Sequence, residues 1–422
     1  MSTPNIIYNL NCFDIKKYLN PITDDVSDNI TNNTTPKIVS KTYTSNNKSN
    51  NTTYKVLKYQ KSALTVEEYS TYGMCRSIIV RDDRIMCFSP PKSVAYDQFT
   101  EHFDSTVSYA EDFIDGTMIN LFYDEKACTW EIATRSTVGG NTNFFMNDPN
   151  NKDDRKTFRD MFFEACKTNQ LMFEDLCKDY CYCFVLQHPS NRIVTPVDFP
   201  KLFLIRAYSI NNTEYIVTEI SNEELYSVNN VFQESHVVLP NKHLIDNYEN
   251  LANYYNNAET PFQFVGIMIY SGASRSKIRN QNYENIRDLR GNQSKLQYHY
   301  LVLRQRNKVR EFLLFYPEFS EHFSQFRSSM HEYTNNLHKN YVACFIKKQQ
   351  ELKKYPYEYK VHMFNLHQKY LGELKERGEF IDRNFVINYF NRLEPPQQMH
   401  ILNCRYKLTA KDAKEPGKTS DV

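Results

Sequence analysis

The sequence predicts an α+β protein: a largely antiparallel domain of sheets with helices, followed by an all-helical C-terminal domain. Three observations carry this expectation. Between about Tyr54 and Arg310, short apolar and aromatic runs such as RSIIV, TMINLFY, WEIATR, YCYCFVLQ, KLFLIRAYSI and FVGIMIY recur between Asn, Asp, Gly and Pro, the pattern of strands. One stretch, DRKTFRDMFFEACKTNQ, interrupts them with Phe158, Met161, Phe162, Ala165 and Cys166 at helical spacing. After Tyr316-Pro317 the apolar period becomes three to four residues: Phe319, Phe323, Phe326, Met330, Tyr333, Leu337, Tyr341 and Phe345 fall on one helical face.

Taken in order, residues 1–20 form an N-terminal segment. Residues 21–53, rich in Asn, Thr and Ser, are expected to be a disordered or loop insertion, because too little apolar surface is present to offset ordering entropy. Residues 54–315 are assigned to the sheet domain and 316–408 to the helical domain. In the latter, YKVHMFNLHQKYLGELKERG ends in a basic turn with Gly378 as C-cap, and NFVINYFNRL precedes Pro395-Pro396. The polar residues 409–422 are expected to be a flexible tail.

Composition narrows the function. Lys+Arg 51 against Asp+Glu 50 gives a net charge of +1, so any nucleic-acid surface must be local rather than global. No run approaches the ~18 apolar residues of a membrane span. Ten cysteines, with a polar MSTPN start in place of a leader, point to a cytoplasmic setting, host cytoplasm or virion if the origin is viral. Cys177, Cys181 and Cys183 lack a paired C-x2-C and read as core residues, and no metal site is expected from them.

The chemistry centres on EDFIDGTMINLF, residues 111–122. Alone, Asp115-Gly116 is a turn before a strand. It stands, however, in an ordered series: CRSIIV with Arg76, SPPKS with Lys92, IDGT, IATRSTVGG, FVLQHPSNRIV, FVGIMIY and SRSKIRNQNY. From about Met74 to Tyr283 this series resembles the covalent nucleotidyltransferase superfamily, most closely the phage-type ATP-dependent RNA ligases. The resemblance implies nucleotide contacts from Arg76, Lys92, Asp115, Gly116, Lys277 and Arg279. It also implies that the lysine nucleophile position is Phe113 and that two acidic positions are Val185 and Val265.

A phenyl ring cannot attack an α-phosphate, and valine holds neither ribose nor metal. Since a buried carboxylate without its lysine and metal would be costly, the three losses are mutually consistent and suggest a repacked, catalytically silent cleft, a pseudoenzyme. Glu111 and Asp112 are not amines, and Lys92, Lys126 and Lys277 are the candidate substitutes if catalysis survives. ATP with Mg²⁺ or Mn²⁺ is expected only for that active ATP-dependent RNA ligase or repair enzyme. A structural or virion scaffold is the remaining alternative.

Basic residues run from Arg275 to Arg310 with tyrosines interleaved, a composition suited to single-stranded, nicked or looped RNA. Arg275, Arg287, Arg290 and Tyr283 are the expected RNA contacts. The resemblance assigns substrate choice to the helical domain, which is also where a protein partner is expected.

Overall fold

A computed structural model describes residues 5–19, 36–47, 50–142, 156–228, 230–293 and 295–404. These residues divide into two compact units, the first running up to Thr142 and from Lys156 to Asp288, the second from Leu289 onward. No helix among the described residues is long and apolar enough to cross a membrane.

The first unit is built from three antiparallel sheets. The largest has six strands in the order β1-β11-β10-β9-β7-β8: β1 (Ile7–Asn9), β7 (Thr117–Asp124), β8 (Thr129–Ala133), β9 (Tyr180–Gln187), β10 (Lys201–Asn211) and β11 (Ile216–Glu219). Strand β9 is central, and its side chains from Cys181 to Leu186 are all buried. Alternation sends them into two cores. Tyr182, Phe184 and Leu186 pack with Met161, Phe162, Ala165 and Cys166 of helix α1 (Phe158–Thr168). Cys181 and Cys183 enter the opposite core with Tyr8, Phe88 and Cys87, so these cysteines act as small apolar fillers. The Thr157/Asp160 capping box opens α1.

A second sheet has the order β2-β3-β4-β5, comprising β2 (Ile38–Asn47), β3 (Asn50–Tyr59), β4 (Ile78–Arg81) and β5 (Arg84–Cys87). Its first hairpin departs from the expectation for residues 21–53. Residues 20–35 lie outside the described residues, whereas 38–47 and 50–53 are strand. Thr52, Tyr54 and Val56 point inward at a period of two, and the Tyr54 hydroxyl donates to buried Asp124 at 2.6 Å, which ties the hairpin to β7. Thr42, Thr44 and Thr53 lie exposed on the other face of this hairpin.

The third sheet, β12-β6-β13-β14, contains β6 (Tyr109–Asp112), β12 (Lys242–Leu244), β13 (Gly266–Ser271) and β14 (Ser274–Arg279). It is joined to the six-stranded sheet by a buried ion-pair chain: Arg206 on β10 donates to Glu111 on β6 and to Glu219 on β11, both at 2.8 Å, and lies over the Tyr270 ring. Glu111 is thereby committed to structure. Its partner lies 95 residues away, too far along the chain for local pattern to reveal.

Within the second unit the regular elements among the described residues are helical: α3 (Leu296–Gln305), α4 (Val309–Phe315), α5 (Ser320–Tyr341), α6 (Tyr357–Lys369), α7 (Arg383–Asn391) and α8 (Pro395–Leu402) follow α2 (Gln281–Arg290), which spans the boundary. Phe323, Met330, Tyr333, Leu337 and Tyr341 form the buried stripe of α5, as the period implied. Gly378 adopts φ +67° beyond α6, the left-handed conformation expected of it.

Candidate functional site

The Asp115-Gly116 turn lies where β6 passes into β7. Buried Asp115 is held by three donors. One carboxylate oxygen accepts the backbone N–H groups of Val194 and Thr195, each at 3.1 Å, and the other accepts the Tyr283 hydroxyl at 2.6 Å. The carbonyl of Asp115 accepts Gln187 Nε2 at 2.7 Å, and Asn191 donates to the Thr117 hydroxyl at 2.9 Å. The carboxylate thus fastens the HPSNRIV loop and α2 to the turn.

Gly116 is demanded by space: a Cβ there would lie 2.5 Å from Val185 Cγ1 and 2.6 Å from the Leu186 carbonyl oxygen. The Phe113 N–H donates to the Gly266 carbonyl at 3.3 Å, next to Val265, whose own carbonyl accepts the Asn280 N–H at 3.0 Å. Phe113 and Val265 therefore sit on neighbouring backbones, while Val185 lies against Gly116. Val185 and Val265 are buried, and Phe113 is half-buried beneath the Arg279 guanidinium, 5.3 Å from its ring centroid.

Strand β14 brings Arg275, Lys277 and Arg279 to one face at a spacing of two. Arg279 is neutralised by Glu284 at 2.7 Å. Among the described residues, Arg76, Arg135, Arg275 and Lys277 have no carboxylate partner. Burial, then the charges of Arg279, Arg76 and Arg275, push the Lys277 ammonium down to about 8. Burial, then Arg275 and Arg135, push Arg76 down to about 10. Uncompensated cations held this close repel, and an anion placed among them would relieve both the repulsion and the lost hydration. Arg135, whose charge also bears on Arg76, is exposed and lies over the Tyr59 ring.

Other expected contacts are placed differently. Lys92 lies over the Tyr69 ring at 3.2 Å from the centroid and borders a separate cavity of about 280 Å³ together with Arg275. Tyr69 was not singled out by any motif. Of the expected RNA contacts, Arg275 is buried and donates to the carbonyls of Pro90 and Pro91. Tyr283 is buried on Asp115, and Arg290 is buried within the second unit. These three are corrected to interior positions, because a strand face and a helix face that read as basic in sequence here turn inward. Arg287 remains partly exposed, paired with Glu284 at 3.3 Å.

Around the Asp115-Gly116 turn the described residues present few side-chain oxygens for a divalent ion. Val185 and Val265 offer no oxygen from their side chains, both Asp115 oxygens accept protein donors, and no group of three His, Cys, Asp or Glu among the described residues could hold a metal.

No family model matches the chain. A stretch of 100 residues, 23% of the chain, is 32% identical to an RNA ligase of Rhodothermus phage RM378, spanning 22% of that protein. Among solved structures, a mutant of the Naegleria gruberi RNA ligase with ATP and Mn is similar over 47% of this chain and 58% of that one, at 12% identity and a TM-score of 0.33. The same ligase with pyrophosphate is similar over 48% and 64%, at 11% identity and a TM-score of 0.30. The chain spans about a fifth of the phage relative and less than two thirds of either Naegleria structure.

Proposed function

We propose that this is an RNA-ligase-like protein whose cleft binds a phosphate-bearing ligand, nucleotide or RNA, without forming a lysyl-nucleotide. The observation that carries the reading is the pair Arg76 and Lys277, each without a carboxylate ion-pair partner among the described residues and each pushed down by burial and neighbouring cations. They are close to Arg279, which lies over Phe113, the residue that the resemblance puts at the nucleophile position. The local sequence similarity to a phage RNA ligase supports the choice of ligand class. Phosphate oxygens would be met by Arg76, Lys277 and Arg279, with Asp115 and Gly116 shaping the turn and Lys92 reaching the cleft only by leaving Tyr69.

A second reading, an active ligase using a displaced lysine, is favoured by one feature: burial among Arg279, Arg76 and Arg275 pushes the Lys277 ammonium down to about 8, which eases release of its proton to give the nucleophilic amine. Incubation of the purified chain with α-labelled ATP and Mg²⁺ or Mn²⁺ separates the two. The expected result is no radioactive band on a denaturing gel, with reversible ATP binding equally strong in EDTA; a stable phosphoramidate on Lys277 would overturn the silent-cleft reading.

The cleft should also respond to pH. Lys277 is charged below about 8 and neutral above it, so ATP affinity is expected to fall as pH rises from 7 to 9. Lys277→Met should bind more weakly at pH 7 and lose that slope. An unchanged pH profile in this variant, measured by fluorescence-polarisation titration, would remove Lys277 from the ligand's surroundings.

A further inference from the structure

The helical unit contains a cavity of about 330 Å³ between α3, α4, α5 and α7, near the lower end of small-ligand pockets. Its floor is apolar, with Met330 and Phe390 buried. Its wall is cationic. Arg304 on α3 and Arg327 on α5 both line it, and neither has a carboxylate partner among the described residues. His331 joins them, and no Asp or Glu lines the space.

Arg304 is half-buried and Arg327 is exposed at the rim. Arg304 donates to Asn391 Oδ1 at 2.7 Å, which leaves the rest of its fork free to face a ligand. Arg327 Nε donates to His331 Nε2 at 3.4 Å, one helical turn on, so its terminal nitrogens remain unspent. Tyr300 lies between Phe323 and Phe326, at 5.0 and 5.8 Å between ring centroids, and its ring is buried. Burial raises the affinity of its phenol for the proton, while Arg304 and Arg327 oppose that rise, which places the hydroxyl in the field of both guanidinium groups.

We infer that this cavity is a second ligand site, one that takes a phosphate monoester, with Arg304 and Arg327 gripping the phosphate, Tyr300 donating to it, and the Met330 and Phe390 floor meeting the attached sugar or base. Two forked guanidinium groups match the two charges and several acceptor oxygens of a monoester. An apolar floor is wasted on an inorganic ion and useful for an organic one. The assignment rests on the helical unit alone and does not require the cleft of the first unit to bind anything.

The test uses the full chain in calorimetric titration with 5′-AMP, with adenosine, and with a short oligoribonucleotide bearing either a 5′-phosphate or a 5′-hydroxyl. The 5′-phosphorylated probe is expected to bind at least about tenfold more tightly than its hydroxyl counterpart, and Arg304→Gln and Arg327→Gln are each expected to erase about tenfold of affinity, the worth of a charge-assisted bond. Lys277→Met should leave this component intact while weakening the cleft, so loss of one site is distinguishable from loss of the other. Tighter binding of the oligonucleotide than of 5′-AMP identifies an RNA end as the source, and equal binding identifies free nucleotide; both uphold the site. Equal affinity for phosphate and hydroxyl termini, or wild-type binding by the Arg304→Gln/Arg327→Gln double variant with its fold intact by circular dichroism, overturns it.

Discussion

Asp115→Ala is expected to lower the unfolding free energy by about 3–5 kcal/mol, because it removes a buried acceptor from three donors at once. The Val194 and Thr195 amides and the Tyr283 hydroxyl would be left to find water in a closed site. Tyr283→Phe removes one of these bonds and should cost about 1 kcal/mol. Since the two residues share one interaction, the double variant should lose less than the sum of the single losses. Chemical denaturation of all four proteins measures the coupling. An Asp115→Ala variant with a wild-type midpoint would show that the carboxylate does not fasten the loop.

The second large effect is expected at Gly266. A Cβ there would fall 2.1 Å from the Ile278 carbonyl oxygen and 2.8 Å from the Arg279 Cα, and its φ of +137° is one that side chains rarely adopt. The β13 and β14 backbones cannot separate without breaking their ladder, so Gly266→Ala should cost more than about 3 kcal/mol or prevent folding. Gly272→Ala, at the turn between the same strands, is the control. Nothing lies within 4 Å of its would-be Cβ, and only its φ of +53° is strained, so the expected loss is about 1 kcal/mol. Thermal unfolding compares them, and similar losses at both positions would refute the close-approach argument. Any Gly266→Ala protein that folds should also bind ATP weakly, because Gly266 is paired with Arg279 and the same ladder sets Lys277.

Much of this architecture is legible in the sequence because it depends on local period. The runs around YCYCFVLQ, KLFLIRAYSI and FVGIMIY are strands, and the three-to-four spacing after Pro317 is the buried stripe of α5. The hairpin of β2 and β3 escaped because only one face of it is apolar, and its polar face dominates composition. Pairings over long separations are invisible for a different reason. Asp115 meets Tyr283 at a distance of 168 residues and Arg206 meets Glu111 at 95, and no local pattern distinguishes such carboxylates from solvated or catalytic ones. The same limit explains Arg275 and Tyr283. Their side chains are basic or aromatic in a basic run, yet each spends its polar group on backbone or carboxylate within the fold.

The three bonds to Asp115 also bear on how such a chain can change over time. A residue whose removal unfolds the protein is retained by selection for foldedness, whatever becomes of turnover. Asp-Gly at this turn would therefore be kept for loop closure alone, independently of any chemistry beside it. Position 113 differs: Phe113 is half-buried, with its backbone N–H on the Gly266 carbonyl and its ring beneath the Arg279 guanidinium, and no side-chain hydrogen bond fixes its identity, so it can be exchanged without unfastening the loop.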